Sequence, residues 1–398
     1  MLVHPHDIFS SSEPWTIRIK KFAEAFVAEG HTVTVCYFPL DHRTAYTERL
    51  HNGYTVVPLD RRVGWWHLIR NTRELMKRSA SADLIHFQKY YYYASIPCLI
   101  AGMLTGKPLH YDWDDWETKI FYYSNPTKKW IGKFIHCMEM TLPQVVDSVS
   151  VSGAHLRQIC IDRGVPPARI THAPVGADLE HFRPDKKADG RIKAQYGIEG
   201  SFVLYVGQLH GGQYAELFVH AAEQICRVRN DVTFMIVGDG YRRPELERLA
   251  DDLHLTGRVI FTGMVPHEEV PYYIADADVC AACFEDNDIT RSKSPLKIAE
   301  YMASGKAIVA SAVGEVRTML GGFGILTAPG DPKALAGGIT LLLDNAELRS
   351  RLSQWTRIRA VKRYNWTVTA QALLPVYMNG TIKTKKKVFS WKRQKADG

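Results

Sequence analysis

Residues 284–311 carry the side chains best suited to binding a phosphorylated ligand. Ser294 and Pro295 are residue types that favour a helix N-cap and the first helical position, so they predict a helix over 295–304. Unpaired amides, the helix dipole and nearby cations at such a start favour a diphosphate. The cations are Arg291, Lys293 and Lys297. Glu300, roughly one and a half turns further on, could accept hydrogen bonds from ribose hydroxyls. A solvated basic loop is the alternative.

Two glycine turns follow apolar strands in the second half of the chain. The first contains Gly207, Gln208 and Gln213, and the second contains Gly238, Asp239 and Gly240. Glycine lets a ligand approach the backbone closely, and a strand, a loop and a helix N-terminus together can bind an anion. A plain tight turn explains either motif equally well. The dinucleotide fingerprint Gly-x-Gly-x-x-Gly does not occur here, which argues against a dehydrogenase.

A group of acidic and aromatic residues over 109–117 stands out in the first half. It places Asp114 and Asp115 directly after a predicted strand, between Trp113 and Trp116. Aromatic faces suit sugar stacking and carboxylates accept hydrogen bonds from hydroxyls, so these two acids are candidate catalytic residues. A polar loop held by two tryptophans is the alternative interpretation.

Strand and helix patterns alternate through most of the 398 residues, which predicts parallel sheets covered by helices. The length suggests two domains, and the chain turns polar between Pro184 and Tyr196, as linkers do. The expected fold class is therefore α/β, with two Rossmann-like doubly wound domains facing a cleft. The expected domains are 1–180, 181–363, a C-terminal helix over 364–381 returning to the first domain, and a basic tail over 382–398.

The net charge of +8 and the pI of about 9.0 leave phosphorylated ligands, an anionic membrane surface or nucleic acid as partners. No nucleic-acid-binding motif supports the last of these. The start of the chain shows no secretory signal pattern, and the odd number of cysteines, seven, suits a reducing, cytoplasmic setting. Residues 125–135 could form a basic amphipathic helix on the inner face of a membrane, through Trp130, Ile131, Phe134 and Ile135, or a helix packed on the core.

The ordered set of motifs resembles the retaining glycosyltransferases of the GT-B fold, the group 1 or family 4-like enzymes. The similarity runs over most of the chain and is strongest in its second half. The motifs that carry it are Asp178-Leu-Glu-His-Phe182, Tyr205-Val-Gly-Gln-Leu209, Ile236-Val-Gly-Asp-Gly240, Val259-Ile-Phe-Thr-Gly263 and Ser294-Pro-Leu-Lys-Ile-Ala-Glu300. The resemblance implies a nucleotide-sugar donor bound by the second domain, an acceptor bound by the first, and neither a metal nor another cofactor.

The resemblance also implies roles for individual residues, and three positions depart from the family pattern. Glu300 holds the ribose, and Asp114 stands where relatives often carry a histidine near the transferred sugar. Gln208 and Gln213 stand where many relatives have an arginine and a lysine on the diphosphate, and Ser292 replaces the first acid of a paired-glutamate motif. The missing charge is then expected from Lys297, Arg291 and Lys293. The expected donor site also includes Ser294, Pro295 and Leu296.

The expected function is sugar transfer from a UDP- or GDP-sugar to a saccharide or lipid-linked acceptor, with retention, in surface glycan biosynthesis. Asp114, Asp115 and Lys297 are the expected catalytic residues. Two other classes stay open: a non-catalytic binding protein on the same fold, which the two glutamines favour, and a sugar-nucleotide epimerase. Peripheral contact with a membrane is a further expected property.

Overall fold

A computed structural model describes residues 1–10, 13–41, 46–184, 189–211 and 214–378. The chain divides into two compact units. Unit 1 contains Met1–Pro174 and the chain from Trp366 onward, and unit 2 contains Val175–Asn365. These boundaries lie a few residues from those expected. The predicted basic tail over 382–398 and Gln213 fall outside the described residues.

Unit 1 contains an eight-stranded sheet that is parallel except at one edge, where β3 and β4 pair antiparallel. Its order is β3-β4-β2-β1-β5-β6-β7-β8, with β1 in the middle. The strands are β1 (Leu2–His4), β2 (Thr34–Tyr37), β3 (Arg49–His51), β4 (Tyr54–Pro58), β5 (Ile85–Gln88), β6 (Leu109–Trp113), β7 (Ser148–Val151) and β8 (Ile170–His172).

Helices connect the parallel strands of unit 1, because such strands need crossover connections. They are α1 (Pro14–Ala28), α2 (Trp65–Ser79), α3 (Tyr92–Thr105), α4 (Glu117–Ser124), α5 (Lys129–Val145) and α6 (Ala154–Asp162). A final helical segment covers 366–378. Its Tyr377 hydroxyl lies 2.5 Å from Nδ1 of His86 in β5, and Trp366 packs edge-on against Phe22 of α1.

Unit 2 contains a six-stranded sheet in which every pair is parallel, with the order β11-β10-β9-β12-β13-β14. Its strands are β9 (Ser201–Val206), β10 (Val232–Val237), β11 (Val259–Gly263), β12 (Val279–Ala282), β13 (Ile308–Ser311) and β14 (Ile325–Thr327). Strands β9, β10, β12 and β13 are nearly continuous apolar runs, as expected for strands covered on both faces.

The helices of unit 2 begin with α7, which lies inside the stretch predicted as a linker. They are α7 (Arg191–Gln195), α8 (Ala215–Cys226), α9 (Arg243–Asp252), α10 (Val270–Asp276), α11 (Asp288–Ser292), α12 (Leu296–Ala303), α13 (Val316–Leu320), α14 (Pro332–Asp344) and α15 (Ala346–Arg363). The Asp276 carboxylate accepts the backbone amides of Gly190 and Ile192, which attaches α7 to α10. No helix among the described residues has the length and apolar character needed to cross a bilayer.

A buried ion pair stabilises the centre of unit 1. Arg18 of α1 donates two hydrogen bonds of 2.8 Å to Asp112 of β6, and both side chains are buried. Ser150 of β7 also donates to this carboxylate. Burial alone would raise the pKa of Asp112, but Arg18 and Ser150 outweigh it and hold that pKa below its usual range. Burial lowers the pKa of neighbouring His86 to about 4.

We expect Arg18→Met to destabilise unit 1 by about 3–5 kcal/mol, because it leaves the Asp112 carboxylate buried without its partner. Urea denaturation followed by circular dichroism measures this change. The double variant Arg18→Met/Asp112→Leu removes both charges and should recover much of the loss. A single variant within about 1 kcal/mol of the natural chain would contradict this account of the pair.

Candidate functional site

The carboxyl ends of β9 and β12 define the ligand-binding position expected for unit 2. Strands β9 and β12 are neighbours in the sheet. From β9 the strand order runs outward through β10 and β11, and from β12 it runs outward in the other direction through β13 and β14. Ligands of open α/β sheets bind outside the strands at such a switch point. Helix α12 is attached there, because the Tyr301 hydroxyl accepts the backbone amide of Val206, the last residue of β9, at 2.7 Å.

Lys297 extends from α12 into this position. Its Nζ lies 3.8 Å from the centre of the Tyr205 ring. A Cβ atom added at Gly207 would lie only 2.6 Å from this Nζ, so the space between them requires glycine. Nζ is buried and has no hydrogen-bond partner among the described residues. Burial lowers the pKa of Lys297 to about 7. An ammonium group without a partner at a ligand-binding edge suits an anion that supplies one.

Glu300 lies on the same helix, and His267 stands beside it. The carboxylate is nearly buried, and its Oε1 is 3.5 Å from Nε2 of His267, in the loop after β11. The hydrogen bond with Glu300 raises the pKa of His267. His181 stacks on His267 at 5.2 Å, and its Nε2 lies 3.1 Å from the His267 carbonyl oxygen. The ribose acid expected from the sequence is therefore held in a defined position.

The two glycine turns pack on each other. A Cβ on Gly238 would lie 2.0 Å from the carbonyl oxygen of Gly207, and one on Gly240 would lie 2.2 Å from that of Leu209. The Leu209 amide donates to the Asp239 carbonyl, and the Asp239 side chain contacts Arg243 at 3.3 Å. Loop packing thus requires Gly238 and Gly240, whereas their contact with a donor stays a prediction.

The predicted role of Ser294 as a helix cap is wrong. Pro295 takes the N-cap position of α12 and makes no side-chain cap hydrogen bond. Ser294 is buried, and its hydroxyl accepts the backbone amide of Val175 at 3.2 Å. The reason is that the chain enters unit 2 beside this serine and competes for its oxygen.

The remaining expected donor residues differ in their surroundings. Arg291 is an exposed residue of α11 and pairs with Asp286 at 2.6 Å, so its charge is already compensated. Lys293 ends α11 and is close enough to Lys297 for its charge to lower the pKa of that amine further. Gln208 follows Gly207 and is half-buried. Ser292 is buried and donates to the Asp288 carbonyl.

In unit 1, Asp114 and Asp115 belong to a cluster centred on Lys89. Nζ of Lys89 lies 2.8 Å from Asp115, 2.7 Å from Glu117 and 3.6 Å from Asp114. Burial raises the pKa of Asp114 to about 7, although Lys89 opposes this shift. The structure thus brings the two expected acids together at the carboxyl edge of β6. Their neighbours Asp112 and Trp113 are instead part of the buried core.

Sequence reasoning did not assign Lys89 or His267 to a site. Lys89 directly follows β5, the strand beside β6, so its position after a predicted strand was a usable signal. His267 follows β11 in a loop that the sequence leaves undefined, and only the folded chain brings it to Glu300.

Two family models match the chain in succession. Residues 16–176 match the model described as Glycosyl transferase 4-like domain, and residues 200–345 match Glycosyl transferases group 1. Together they cover most of the chain, and both units have the parallel α/β architecture of the GT-B class. The chain therefore belongs to the group 1 and 4-like glycosyltransferases with a GT-B fold. This confirms the recognised group and the fold class, whereas the retaining stereochemistry stays a prediction.

The individual relatives and structures that resemble this chain have low sequence identity to it. The chain is 30% identical to D-inositol 3-phosphate glycosyltransferase of Frankia alni over 53% of each chain. It spans about half the length of the first curated relatives it matches. Sucrose-phosphate synthase of Thermosynechococcus elongatus has a similar structure, with a TM-score of 0.76, 20% identity, and coverage of 95% of this chain and 98% of that one. Anabaena HepE in complex with UDP-glucose gives a TM-score of 0.73 at 17% identity, with coverage of 95% and 100%.

The packed glycine turns lead to a stability prediction. Both Gly238 and Gly257 adopt positive φ angles, 143° and 77°, but a Cβ on Gly257 meets open space. Alanine at either position should cost about 1–2 kcal/mol from backbone conformation. Gly238→Ala should lose roughly 1–3 kcal/mol more, because it must displace the loop at Gly207. Thermal unfolding of the two variants provides the comparison, and equal losses would show that the turns do not depend on this contact.

Proposed function

We propose that this protein is a retaining glycosyltransferase that transfers a sugar from a UDP- or GDP-sugar to a saccharide or lipid-linked acceptor in surface glycan biosynthesis. The observation that carries the proposal is the buried Lys297 amine, which meets Gly207 at the switch point of unit 2. Family membership and the fold shared with a UDP-glucose complex support this assignment. An anionic ligand would provide the partner that this amine lacks among the described residues.

The donor diphosphate would lie between the start of α12 and Nζ of Lys297. Helix α12 begins at Leu296 after Pro295, which makes no side-chain cap. A helix start of this kind would offer backbone amides to the diphosphate, and the Lys297 amine would supply a positive charge. Glu300 would accept the ribose hydroxyls, with His267 holding its other oxygen. Gly207 would allow the close approach, and Gln208, Lys293 and Gln213 would lie near the diphosphate.

The chemistry would depend chiefly on stabilising the departing diphosphate. As negative charge develops on the leaving phosphate, Lys297 stabilises it in a site of low polarity. The same phosphate accepts the proton of the acceptor hydroxyl, on the face from which it leaves, and the new bond retains the anomeric configuration. Asp114 and Asp115 would contact the transferred sugar or orient the acceptor hydroxyl. In this proposal the protein supplies the charge without a metal or cofactor.

Lys297 and Glu300 provide the central test. We expect Lys297→Met and Glu300→Ala each to weaken UDP or GDP binding by at least about tenfold, or 1.4 kcal/mol. Because the pKa of free Lys297 is about 7, a bound diphosphate should draw a proton onto the amine. Affinity in the natural chain should therefore fall as pH rises above about 7, and Lys297→Met should remove this dependence. Calorimetric titration across pH and a donor hydrolysis assay measure both effects.

Lys333→Met, at an exposed lysine of α14, is the matched control and should bind normally. Wild-type binding and hydrolysis in both site variants would remove the site assignment. Absence of nucleotide binding in the natural chain would favour a binding protein of another kind. Product analysis without an acceptor would reveal an epimerase, and activity lost in a chelator would contradict metal independence.

We also propose peripheral contact between unit 1 and an anionic membrane surface on the cytoplasmic side. Of the four apolar residues expected on one face of α5, Trp130 and Phe134 are exposed, at 76% and 51%, whereas Ile135 packs against the core. Lys128, Lys129 and Lys133 lie next to this exposed pair in the sequence.

Helix α2 has a similar stripe, consisting of Trp66, Arg70, Arg73 and Lys77. Aromatic and basic side chains together favour anionic headgroups.

The cytoplasmic side is proposed on a separate observation. All seven cysteines are free thiols, which is compatible with a reducing compartment.

We expect Trp130→Ala/Phe134→Ala to lower binding to phosphatidylcholine vesicles containing phosphatidylglycerol by roughly tenfold, since it removes the apolar part of the contact. Cosedimentation with vesicles measures the change. Trp355→Ala, which removes an exposed tryptophan of unit 2, should not alter binding. Equal binding to vesicles of phosphatidylcholine alone, or no effect of the double variant, would contradict this surface.

A further inference from the structure

Unit 1 contains a pocket at the carboxyl ends of β5 and β6. It lies between the starts of α3 and α4 and the side of α5, and its volume is about 260 Å³. Tyr90, Tyr91 and Tyr92 form one side, and Phe121 and Ile135 contribute to the others. Ligand pockets for drug-sized molecules span roughly 300–1,000 Å³, so this space suits one small ring.

The charge of the pocket distinguishes it from the site in unit 2. Glu117 is the one charged residue among its described lining residues. Lys89 lies behind Glu117 and is almost completely buried, and it contacts three carboxylates. Its positive charge is therefore more than balanced, and the pocket presents carboxylate and aromatic groups. A phosphate would find no cation there and would meet the Glu117 carboxylate.

The walls of the pocket are held in place by a strained lysine. Lys89 has a φ of 56°, an uncommon backbone conformation for a residue other than glycine. Its amide donates to the Asp112 carbonyl at 2.9 Å, and its carbonyl accepts the Ser95 hydroxyl at 3.1 Å. Such strain persists where surrounding contacts determine the conformation, and it is often found at functional sites. The conformation directs Nζ at Glu117.

The aromatic wall is braced as well. Trp15 of α1 stacks on Tyr91 at 5.7 Å with an angle of 11° between the rings. Nζ of Lys89 lies 5.0 Å from the Trp15 ring, and the Tyr91 hydroxyl is 3.5 Å from Glu117. Tyr91 and Glu117 are therefore fixed relative to each other before any ligand arrives, which reduces the entropy lost on binding.

We propose that this tyrosine–carboxylate pocket, formed by Tyr90, Tyr91, Tyr92, Glu117 and Phe121, binds an uncharged sugar ring of the acceptor and rejects a phosphorylated one. The inference rests on the proposed function, since it names the acceptor class for that reaction. Glu117 accepts hydrogen bonds from ring hydroxyls, and the aromatic side chains contact the apolar C–H surface. Lys89 is a positioning residue, because it acts through Glu117.

Ligand-detected NMR on the full chain with UDP present tests this pocket. The probes are the methyl α-glycosides of glucose, mannose and galactose, with glucose 6-phosphate as the charged counterpart. We expect at least one methyl glycoside to bind, and glucose 6-phosphate to bind more weakly by about tenfold or more. Phe121→Ala and Glu117→Gln should each weaken glycoside binding by about tenfold. Tyr123→Ala, an exposed tyrosine on the same helix α4, is the matched control.

Calorimetry with UDP separates this inference from the proposed function. All three variants should bind UDP as the natural chain does, because the donor residues lie in unit 2. Absence of binding by every glycoside, stronger binding of the phosphorylated sugar, or equal losses in Phe121→Ala and Tyr123→Ala would overturn the pocket assignment while UDP binding persists. Loss of UDP binding in the natural chain would instead count against the proposed function. Lys89→Met should shift the pH profile of glycoside binding, which a purely structural lysine would not do.

Discussion

The amine of Lys297 is buried without a hydrogen-bond partner among the described residues, which costs free energy of folding. The proposed site in unit 2 depends on this amine. Burial disfavours the charged form of the amine and lowers the pKa of Lys297 to about 7. Replacement by an apolar residue would relieve this cost, so the folded chain gains nothing from the charge in the absence of a ligand. The features around the amine serve its position: Tyr301 fixes α12 to the end of β9, Tyr205 lies under Nζ, and Gly207 leaves space beside it.

In unit 1, by contrast, the main buried charges have partners of opposite charge. Arg18 and Asp112 form a buried ion pair through two hydrogen bonds, and Lys89 is shared among three carboxylates at the sheet edge. These groups stabilise positions and leave no cation available. Asp114 is the intermediate case, because burial raises its pKa to about 7 while Lys89 remains 3.6 Å away. A carboxyl group with that pKa can change protonation near neutral pH, which suits a group close to a reacting hydroxyl.

The sequence predicts the α/β fold class well, because buried parallel strands such as β9 and β10 appear as uninterrupted apolar runs ending in glycine. It also places Lys297 and Glu300 on one helix. Details that depend on distant chain segments are not predictable in this way. Ser294 fits the local preference for a helix cap, yet Val175 takes its hydroxyl. Lys89 has a local signal, because it follows a predicted strand, but its carboxylate partners follow another strand. His267 meets Glu300 only in the folded chain, and no local pattern identifies it.

Neutral residues at sequence positions 208 and 213, where many relatives carry an arginine and a lysine, have a consequence for the proposed diphosphate site. With several permanent cations, a diphosphate site is fully charged at any physiological pH and holds its product firmly. Because the pKa of buried Lys297 is near 7, binding of a diphosphate there and uptake of a proton by this amine would be linked, so each would favour the other. Affinity then decreases as pH rises above the pKa of the free site, until the pKa of the bound site is reached. In the proposed site, weaker donor binding would therefore accompany easier release of the nucleotide product, and binding would depend on pH through Lys297.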